Sequence, residues 1–196
     1  MDLTLKTPPS ATSIDVALVK LGKRISHNSE DALILGWIKA ADLYLEKRMN
    51  RAMMAQTYVL RLRRVLRTVY LPRPPLASIS HVKYTPEGGS EVTVAEADYR
   101  QSTDRMVARL DIFEIPMLGR AGTMEIEYIA GYEKSEDVPA DLRQAACLLA
   151  AAWVSSREAT YQEPRIMQVE KKISFGVDQL VKEYRVPNGT DLNGGW

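Results

Sequence analysis

Two long apolar segments, one near each end of the chain, most constrain its fold, and a stretch rich in β-forming residues separates them. The first segment, SEDALILGWIKAADLYLEKRMNRAM, extends from about Ser29 to Met53. The second, VPADLRQAACLLAAAWVSSREA, extends from Val138 to Ala159. Apolar residues recur in both at steps of three and four, which is the spacing of one helical face. This order predicts an α+β fold, with a helical core of two long helices plus shorter ones and an antiparallel β insert between the long helices.

The apolar stripes of the two long helices predict how the helical core packs. The second stripe is rich in alanine, and small side chains permit a close approach between helices. Neither helix is expected to be stable alone, so each needs the other's apolar face. The predicted contact residues are Ile34, Trp37, Ile38 and Ala41 on the first helix and Leu142, Ala145, Ala146, Leu149 and Trp153 on the second.

Composition shifts along the chain predict four parts. Residues 1–12 lack a periodic pattern and are expected to form an N-terminal arm. Residues 13–54 and 133–186 are assigned to the helical core, and residues 55–132 to the β insert. Residues 187–196, PNGTDLNGGW, are polar and glycine-rich and are expected to form a flexible tail.

Two shorter helices complete the predicted helical core. The segment SIDVALVKLGKR begins at Ser13, whose side chain is expected to cap the helix. The segment FGVDQLVKEYRV, from Phe175 to Val186, is expected to form the last helix.

Alternating and β-rich runs predict the strands of the insert. The hairpin turn PEGGS joins two of them, and in the last of them Met124, Ile126 and Tyr128 alternate with glutamates. The predicted strands are Gln56–Arg63, Ile79–Thr85, Glu91–Ala95, Arg105–Asp111 and Thr123–Ala130.

Composition favours a cytosolic, soluble chain. Its 196 residues carry a formal net charge of +1, so no bulk field attracts nucleic acid or membrane. Cys147 is the single cysteine, which excludes a disulfide within the chain. The start of the chain lacks the apolar stretch of a signal peptide, and no apolar run approaches the roughly 20 residues of a membrane span.

No residue pattern indicates a catalytic, cofactor-binding or metal site. His27 and His81 lie in different elements, without further ligands at metal-binding spacing. Cys147 lies among alanines and leucines, where a thiol behaves as a small apolar side chain. Glu125 and Glu127 resemble a carboxylate pair, and we interpret them as the solvated face of an edge-like strand.

A basic run is the most distinctive chemical feature. Arg61, Arg63, Arg64, Arg67 and Arg73 lie within a stretch that contains no acidic residue. They form either a surface that faces DNA or an acidic partner, or a solvated strand face balanced by glutamates on the neighbouring strand. The first four are the candidate site residues for a DNA channel or an acidic partner.

The chain resembles the head–tail connector, or adaptor, family of long-tailed phages and related prophages. Each matching stretch is a packing or turn pattern, and the ordered set, particularly PRPPL followed by YIAGY and VP, makes the resemblance specific. Together the stretches cover most of residues 29–186. They are SEDALILGWIKAADLYLEKRMNRAMMAQTYVL, LPRPPLASISHVKY, DYR, IEYIAGYEKSEDVPADLRQAACLLAAAWVSSREA and FGVDQLVKEYRV.

The resemblance implies a structural virion protein without catalytic residues or a cofactor. Members form a ring, usually of twelve copies, beneath the portal, extend the DNA channel and dock the next neck or tail component. The implied partners are the portal protein, the next connector (a stopper or tail-terminator protein), other copies of the chain, and passing double-stranded DNA without sequence readout. The implied location is the virion neck, reached by assembly in the host cytoplasm, with no membrane contact.

Residues 187–196 are a candidate portal-docking tail, with Pro187, Leu192 and Trp196 as its contact residues; the alternative is a frayed end without a role.

For the whole chain, the competing function is a nucleic-acid-binding packaging or regulatory module that uses the Arg61–Arg73 surface. Such a module would bind DNA with a strong salt dependence.

Overall fold

The computed structural model describes residues 1–103, 106–113, 121–156 and 176–186. It contains both helices and antiparallel sheets, which confirms the mixed class predicted from the sequence. A membrane span would need a longer and more apolar helix than any in the described ranges. The chain divides into two compact units: Met1–Ser10, Asn50–Tyr132 and Val186–Trp196 form the first, and Ala11–Met49 and Glu133–Arg185 form the second.

Among the described residues, eight strands belong to the first unit, and the α-helices belong to the second. The strands are β1 (Asp2–Thr7), β2 (Gln56–Arg64), β3 (Thr68–Leu71), β4 (Leu76–Pro86), β5 (Val92–Thr93), β6 (Tyr99–Thr103), β7 (Ala108–Ile112) and β8 (Ala121–Ala130). The helices are α1 (Val16–Lys23), α2 (Asp31–Met49), α3 (Ala140–Ser156) and α4 (176–181), and a 3₁₀ turn, Lys182–Tyr184, follows α4.

The first unit is built from two antiparallel sheets around one apolar core. The larger sheet has the order β1-β2-β8-β4-β5, and the smaller has the order β3-β7-β6. Alternation along β2 and β8 directs Leu60, Ile126 and Tyr128 into this core. Val69 and Leu110 of the smaller sheet join the same cluster. The opposite face of the larger sheet carries charged side chains, among them Arg61, Lys83 and Glu125, together with Val59 and Ile129.

The second unit is a helical bundle in which α2 packs against α3, and α1 contacts both. Every residue predicted for the α2–α3 contact is buried except Trp37 and Trp153, which are half-buried. The rings of these two tryptophans lie 6.1 Å apart, and Tyr44 meets Trp153 edge-on at 6.2 Å. Val177 and Val181 of α4 are also buried.

The structure corrects the predicted helix boundaries. Helix α2 ends at Met49, because Asn50 adopts a left-handed conformation with φ 56°. Ser13 does not cap α1. The N-cap residue is Asp15, without a side-chain cap hydrogen bond, and Ser13 instead binds Asp42 of α2 through its backbone N–H and its hydroxyl. The predicted end of the second long helix, beyond Ser156, lies outside the described residues.

Three strands were not expected from the sequence: β1, β3 and β6. Residues Asp2–Thr7, within the expected arm, form the edge strand β1 and pair with β2. The prediction that Glu125 and Glu127 lie on an edge-like strand is wrong. Their strand, β8, is the centre of the larger sheet and pairs with β2 on one side and β4 on the other. Alternation reports which face is wet, and a central strand of a one-sided sheet has the same pattern as an edge strand.

Candidate interaction surfaces

A row of alternating charges crosses the polar face of the larger sheet. The strand register sets Asp2 opposite Arg61, Arg61 opposite Glu125, and Glu125 opposite Lys83. The Arg61 Nε donates to Glu125 Oε2 at 2.8 Å, and Lys83 Nζ donates to Glu91 Oε1 at 2.9 Å. Opposite charges in directly facing cross-strand positions stabilise a sheet. Arg61 is therefore largely neutralised within its own sheet.

A second row lies beside the first and is also internally paired. Lys6 Nζ of the edge strand donates to Glu127 Oε2 at 2.7 Å. The ring of His81 lies between the two glutamates, with Nε2 3.7 Å from Glu125 and Nδ1 3.9 Å from Glu127. The hydrogen bond from Arg61, followed by its charge and the contact with His81, lowers the pKa of Glu125 against the opposing effect of burial. The carboxylate pair thus balances neighbouring cations.

Three further arginines of the basic run are exposed at the end of β2 and just after it. Arg63, Arg64 and Arg67, which we call the basic cluster, form no ion pair within the described ranges. The register shifts between Leu62 and Arg64, and both Arg63 and Arg64 are exposed as a result. The structure thus separates Arg61, which is paired, from the three arginines beyond it.

A glycine allows the close strand approach beside the basic cluster. Gly122 of β8 pairs with Pro86 of β4, and a Cβ on Gly122 would lie 2.7 Å from the Thr85 carbonyl oxygen. Any larger residue would push β8 away from β4 at this point.

The fifth arginine of the run has a different environment. Arg73 is half-buried, has φ 61°, and lies in the LPRPP loop. Burial raises the pKa of Tyr128 well above its usual value, and the positive charge of Arg73 opposes this effect. Arg73 therefore belongs to the loop packing rather than to the basic cluster.

The LPRPP and YIAGY stretches, which carry much of the sequence resemblance, meet in the first unit. The buried hydroxyl of Tyr128 donates to the Pro72 carbonyl at 2.8 Å. The Gly131 N–H donates to the Pro75 carbonyl at 2.9 Å. Gly131 has φ 106°, and a Cβ there would lie 2.2 Å from the Met54 carbonyl oxygen. These motifs are therefore structural: each holds the other in place.

The remaining chemically distinctive residues are also explained by packing. Cys147 is half-buried on α3, and burial raises the pKa of its thiol, which disfavours the reactive thiolate. No group of three or more histidine, cysteine or acidic side chains suited to a metal ion occurs in the described part of the chain. The candidate tail residues Pro187, Leu192 and Trp196 lie outside the described residues.

Comparison of the sequence with protein-family models identifies the family of this chain. A family model described as HCP, head completion protein, matches residues 13–185. No curated protein matches the chain.

Solved structures of phage-like particles share the whole fold. A chain in the neck of an empty gene transfer agent (GTA) particle, determined with C6 symmetry, has 26% sequence identity and a TM-score of 0.74. A chain in the virion of a native GTA particle gives the same identity and TM-score. A chain in the neck of the native particle, determined with C12 symmetry, has 25% identity and a TM-score of 0.68. Each comparison covers 96% of this chain and 97% of the other.

Proposed function

Because the chain belongs to the head completion protein family, we propose that it acts as a head–tail connector that forms a ring beneath the portal. The family membership confirms the resemblance predicted from the sequence. The chain is a structural protein of the virion neck and not an enzyme. The observation that carries the proposal is the family match over residues 13–185, joined to the full-length likeness to neck chains of GTA particles.

The proposed ring contains twelve copies and extends the DNA channel. The C6 and C12 symmetries of the similar neck structures support a ring. Its proposed neighbours are the portal protein on one side and the next connector, a stopper or tail-terminator protein, on the other. Double-stranded DNA passes through without sequence readout, since tight contacts with bases would impede its movement.

We assign the two units different roles in this ring. The two long helices α2 and α3 form a helical core, and the strands between them are an insert that presents a surface to a neighbour or to DNA. The chain order supports this division, because β2 to β8 lie between α2 and α3 in sequence.

The basic cluster is our candidate for contact with DNA or with an acidic neighbour in the ring. Arg63, Arg64 and Arg67 are exposed and lack an ion pair in the described ranges, unlike Arg61. Arginine donors without an ion pair among the described residues are available to phosphates or carboxylates.

Replacing Arg63, Arg64 and Arg67 with glutamine tests this assignment. Exposed charges contribute little to stability, so the free energy of unfolding should stay within about 1 kcal/mol of the wild-type value. We expect fewer DNA-filled infectious particles. The control is Arg61→Gln, which removes an arginine already paired with Glu125. Normal titres from the triple variant would show that the basic cluster is an ordinary solvated surface.

The paired charge rows argue against the competing nucleic-acid-binding function. Arg61 and Lys83 bind acidic side chains of their own sheet, so the polar face is not a continuous cationic surface. A DNA-binding module would show strong affinity that falls steeply with salt. We expect weak or no binding of duplex DNA by the free subunit at physiological salt.

We retain residues 187–196 as a proposed portal-docking tail. Their composition supports this, because Leu192 and Trp196 are apolar anchors in an otherwise polar segment. Deleting residues 187–196 should weaken binding to portal rings without changing the melting temperature. Undiminished binding of the truncated chain would show that the segment is a frayed end without a docking role.

Particle assembly without this chain tests the proposed function as a whole. We expect heads that package DNA, fail to join tails and lose their DNA, and complementation by the wild-type chain should restore complete particles. Complete infectious particles in its absence would overturn the connector role.

A further inference from the structure

Helix α2 has a second apolar face beside its buried one. Among the described residues the leucines of this face remain exposed, whereas its Trp37 and Tyr44 rings contact Trp153 of α3. Its inner face, with Ile34, Ile38, Ala41 and Leu45, is buried. A different set of side chains lies outward at positions i, i+3, i+4 and i+7, which define one helical stripe. This set, which we call the α2 stripe, consists of Leu33, Gly36, Trp37, Ala40, Leu43 and Tyr44, of which all but the half-buried Trp37 are exposed.

The extent of exposure makes the α2 stripe unusual for a surface helix. Leu33 is 41% exposed, Leu43 51% and Tyr44 40%. A contiguous apolar patch with a polar rim is typical of a protein–protein interface. The indole N–H of Trp37 is buried and finds no acceptor among the described residues.

A second uncovered apolar patch lies on α1. Leu18 is 45% exposed and Leu21 is 78% exposed. Both line a groove of about 580 Å³ that also includes Ala140 and Arg143 of α3. We call this the α1 groove.

The two patches face different directions. Lys20 of α1 binds Asp31 at the start of α2 with an Nζ–Oδ1 distance of 2.8 Å, so that side of α1 faces α2. Leu18 precedes Lys20 by two residues and lies about 200° away around the helix. The subunit therefore presents two distinct apolar surfaces.

We propose that the α2 stripe of one copy docks into the α1 groove of the next copy of the same chain. This inference rests on the proposed ring, because a closed ring of more than two copies requires a head-to-tail contact between two different surfaces. The nearby charges differ in sign: Lys39 and Lys47 flank the α2 stripe, whereas two acidic residues, Asp15 in the lining of the α1 groove and Asp141 at its edge, outnumber the one basic lining residue, Arg143. Such complementarity fixes the orientation of the contact.

Cysteine crosslinking in assembled particles tests the contact. The native Cys147 is replaced by alanine, and Leu21→Cys and Leu43→Cys are introduced together. With a short bis-maleimide reagent, each copy can then link to the neighbours on both sides. We expect a ladder of multimers from this double variant and only monomers from each single variant. The matched control is Leu21→Cys with Leu148→Cys, which places the second thiol on an exposed leucine of α3 outside both patches.

Each other outcome excludes the proposal, and a crosslink of a different kind also identifies what covers the α2 stripe. Dimers from Leu43→Cys alone would show that the α2 stripe meets its own counterpart. A crosslink to a different protein would assign the stripe to the portal or the next connector. Particles that contain the chain but give no crosslink would refute the contact and leave the connector role intact, whereas absence of the chain from particles would refute the connector role itself.

A stability measurement tests whether a segment of the same chain, rather than a neighbouring copy, covers the α2 stripe. Leu33→Gln with Leu43→Gln should leave the melting temperature of the free subunit unchanged, because both side chains are exposed there. The same variant should fail to form rings. A clearly lowered melting temperature would show that the subunit itself covers the α2 stripe, and would overturn the proposal.

Discussion

At the scale of single residues, a buried carboxylate organises the start of the helical unit. Asp42 of α2 is 8% exposed and accepts a hydrogen bond from the Ser13 N–H at 3.0 Å and another from the Ser13 hydroxyl. Burial raises the pKa of Asp42, and the hydrogen bonds from Ser13 only partly oppose this. Ser13→Ala leaves a buried acceptor with one partner fewer, so we expect the free energy of unfolding to fall by about 1–3 kcal/mol in urea titrations.

The same carboxylate predicts a pH dependence. The native pKa of Asp42 is raised above its unfolded value, so its contribution is fully present below about pH 4 and is lost as pH rises through the native pKa. Asp42→Asn removes this titration while keeping an acceptor for Ser13. Urea unfolding of both proteins at several pH values should show the variant gaining stability relative to wild type as pH rises above about 4. Parallel curves would contradict this account.

Gly131 shows how one residue holds the two family motifs together. A side chain at its φ of 106° is strained, and its Cβ would overlap the Met54 carbonyl. We expect Gly131→Ala to lower the free energy of unfolding by more than about 2 kcal/mol. The control is Gly22→Ala on α1, where a Cβ meets no atom within 4 Å and alanine favours the helix. Equal melting temperatures for the two variants would refute the close approach.

At the scale of elements, the contact between α2 and α3 depends on small side chains. Ala146 is fully buried on α3. Ala146→Leu adds volume to a filled contact and should cost roughly 1–3 kcal/mol in thermal or urea unfolding. Ala140→Leu, at an exposed site on the same helix, should have little effect. An unchanged melting temperature for Ala146→Leu would show that this face is not packed as described.

The sequence predicts the strongly periodic elements and misses those that depend on neighbours. The alternation in β2 and β8 and the glycine-rich turn between β4 and β5 were sufficient to place those strands. Strand β6, YRQST, is polar, and β3, TVYL, is only four residues long. Both are held by pairing with β7, which local sequence does not report. For the same reason, alternation could not show that β8 is central.

The sequence showed which arginines belong to the candidate site, but it did not show which of them form ion pairs. The arginine run was evident, and so was the possibility that Glu125 balances part of it. The register places Arg61 opposite Glu125 and shifts near the end of β2, so that Arg61 is paired whereas Arg63 and Arg64 form no ion pair within the described part of the chain. The apolar residues of the α2 stripe were visible in the sequence, and Trp37 was assigned to the contact with α3. Periodicity alone could not show that Leu33 and Leu43 remain exposed beside the buried face.

At the scale of the whole molecule, the two units share one property. Each carries exposed features available for contact: the basic cluster in one, and the α2 stripe and α1 groove in the other. A neck component that contacts neighbours on several sides requires such surfaces, and the family and its structural relatives support that role.

The mass of the complex formed with the portal tests this account most directly. Native mass measurement of the chain mixed with portal rings should show one complex whose added mass equals twelve chains of 22.0 kDa each. The account would be contradicted if the portal rings gain no such mass and the chain stays monomeric or binds duplex DNA by itself.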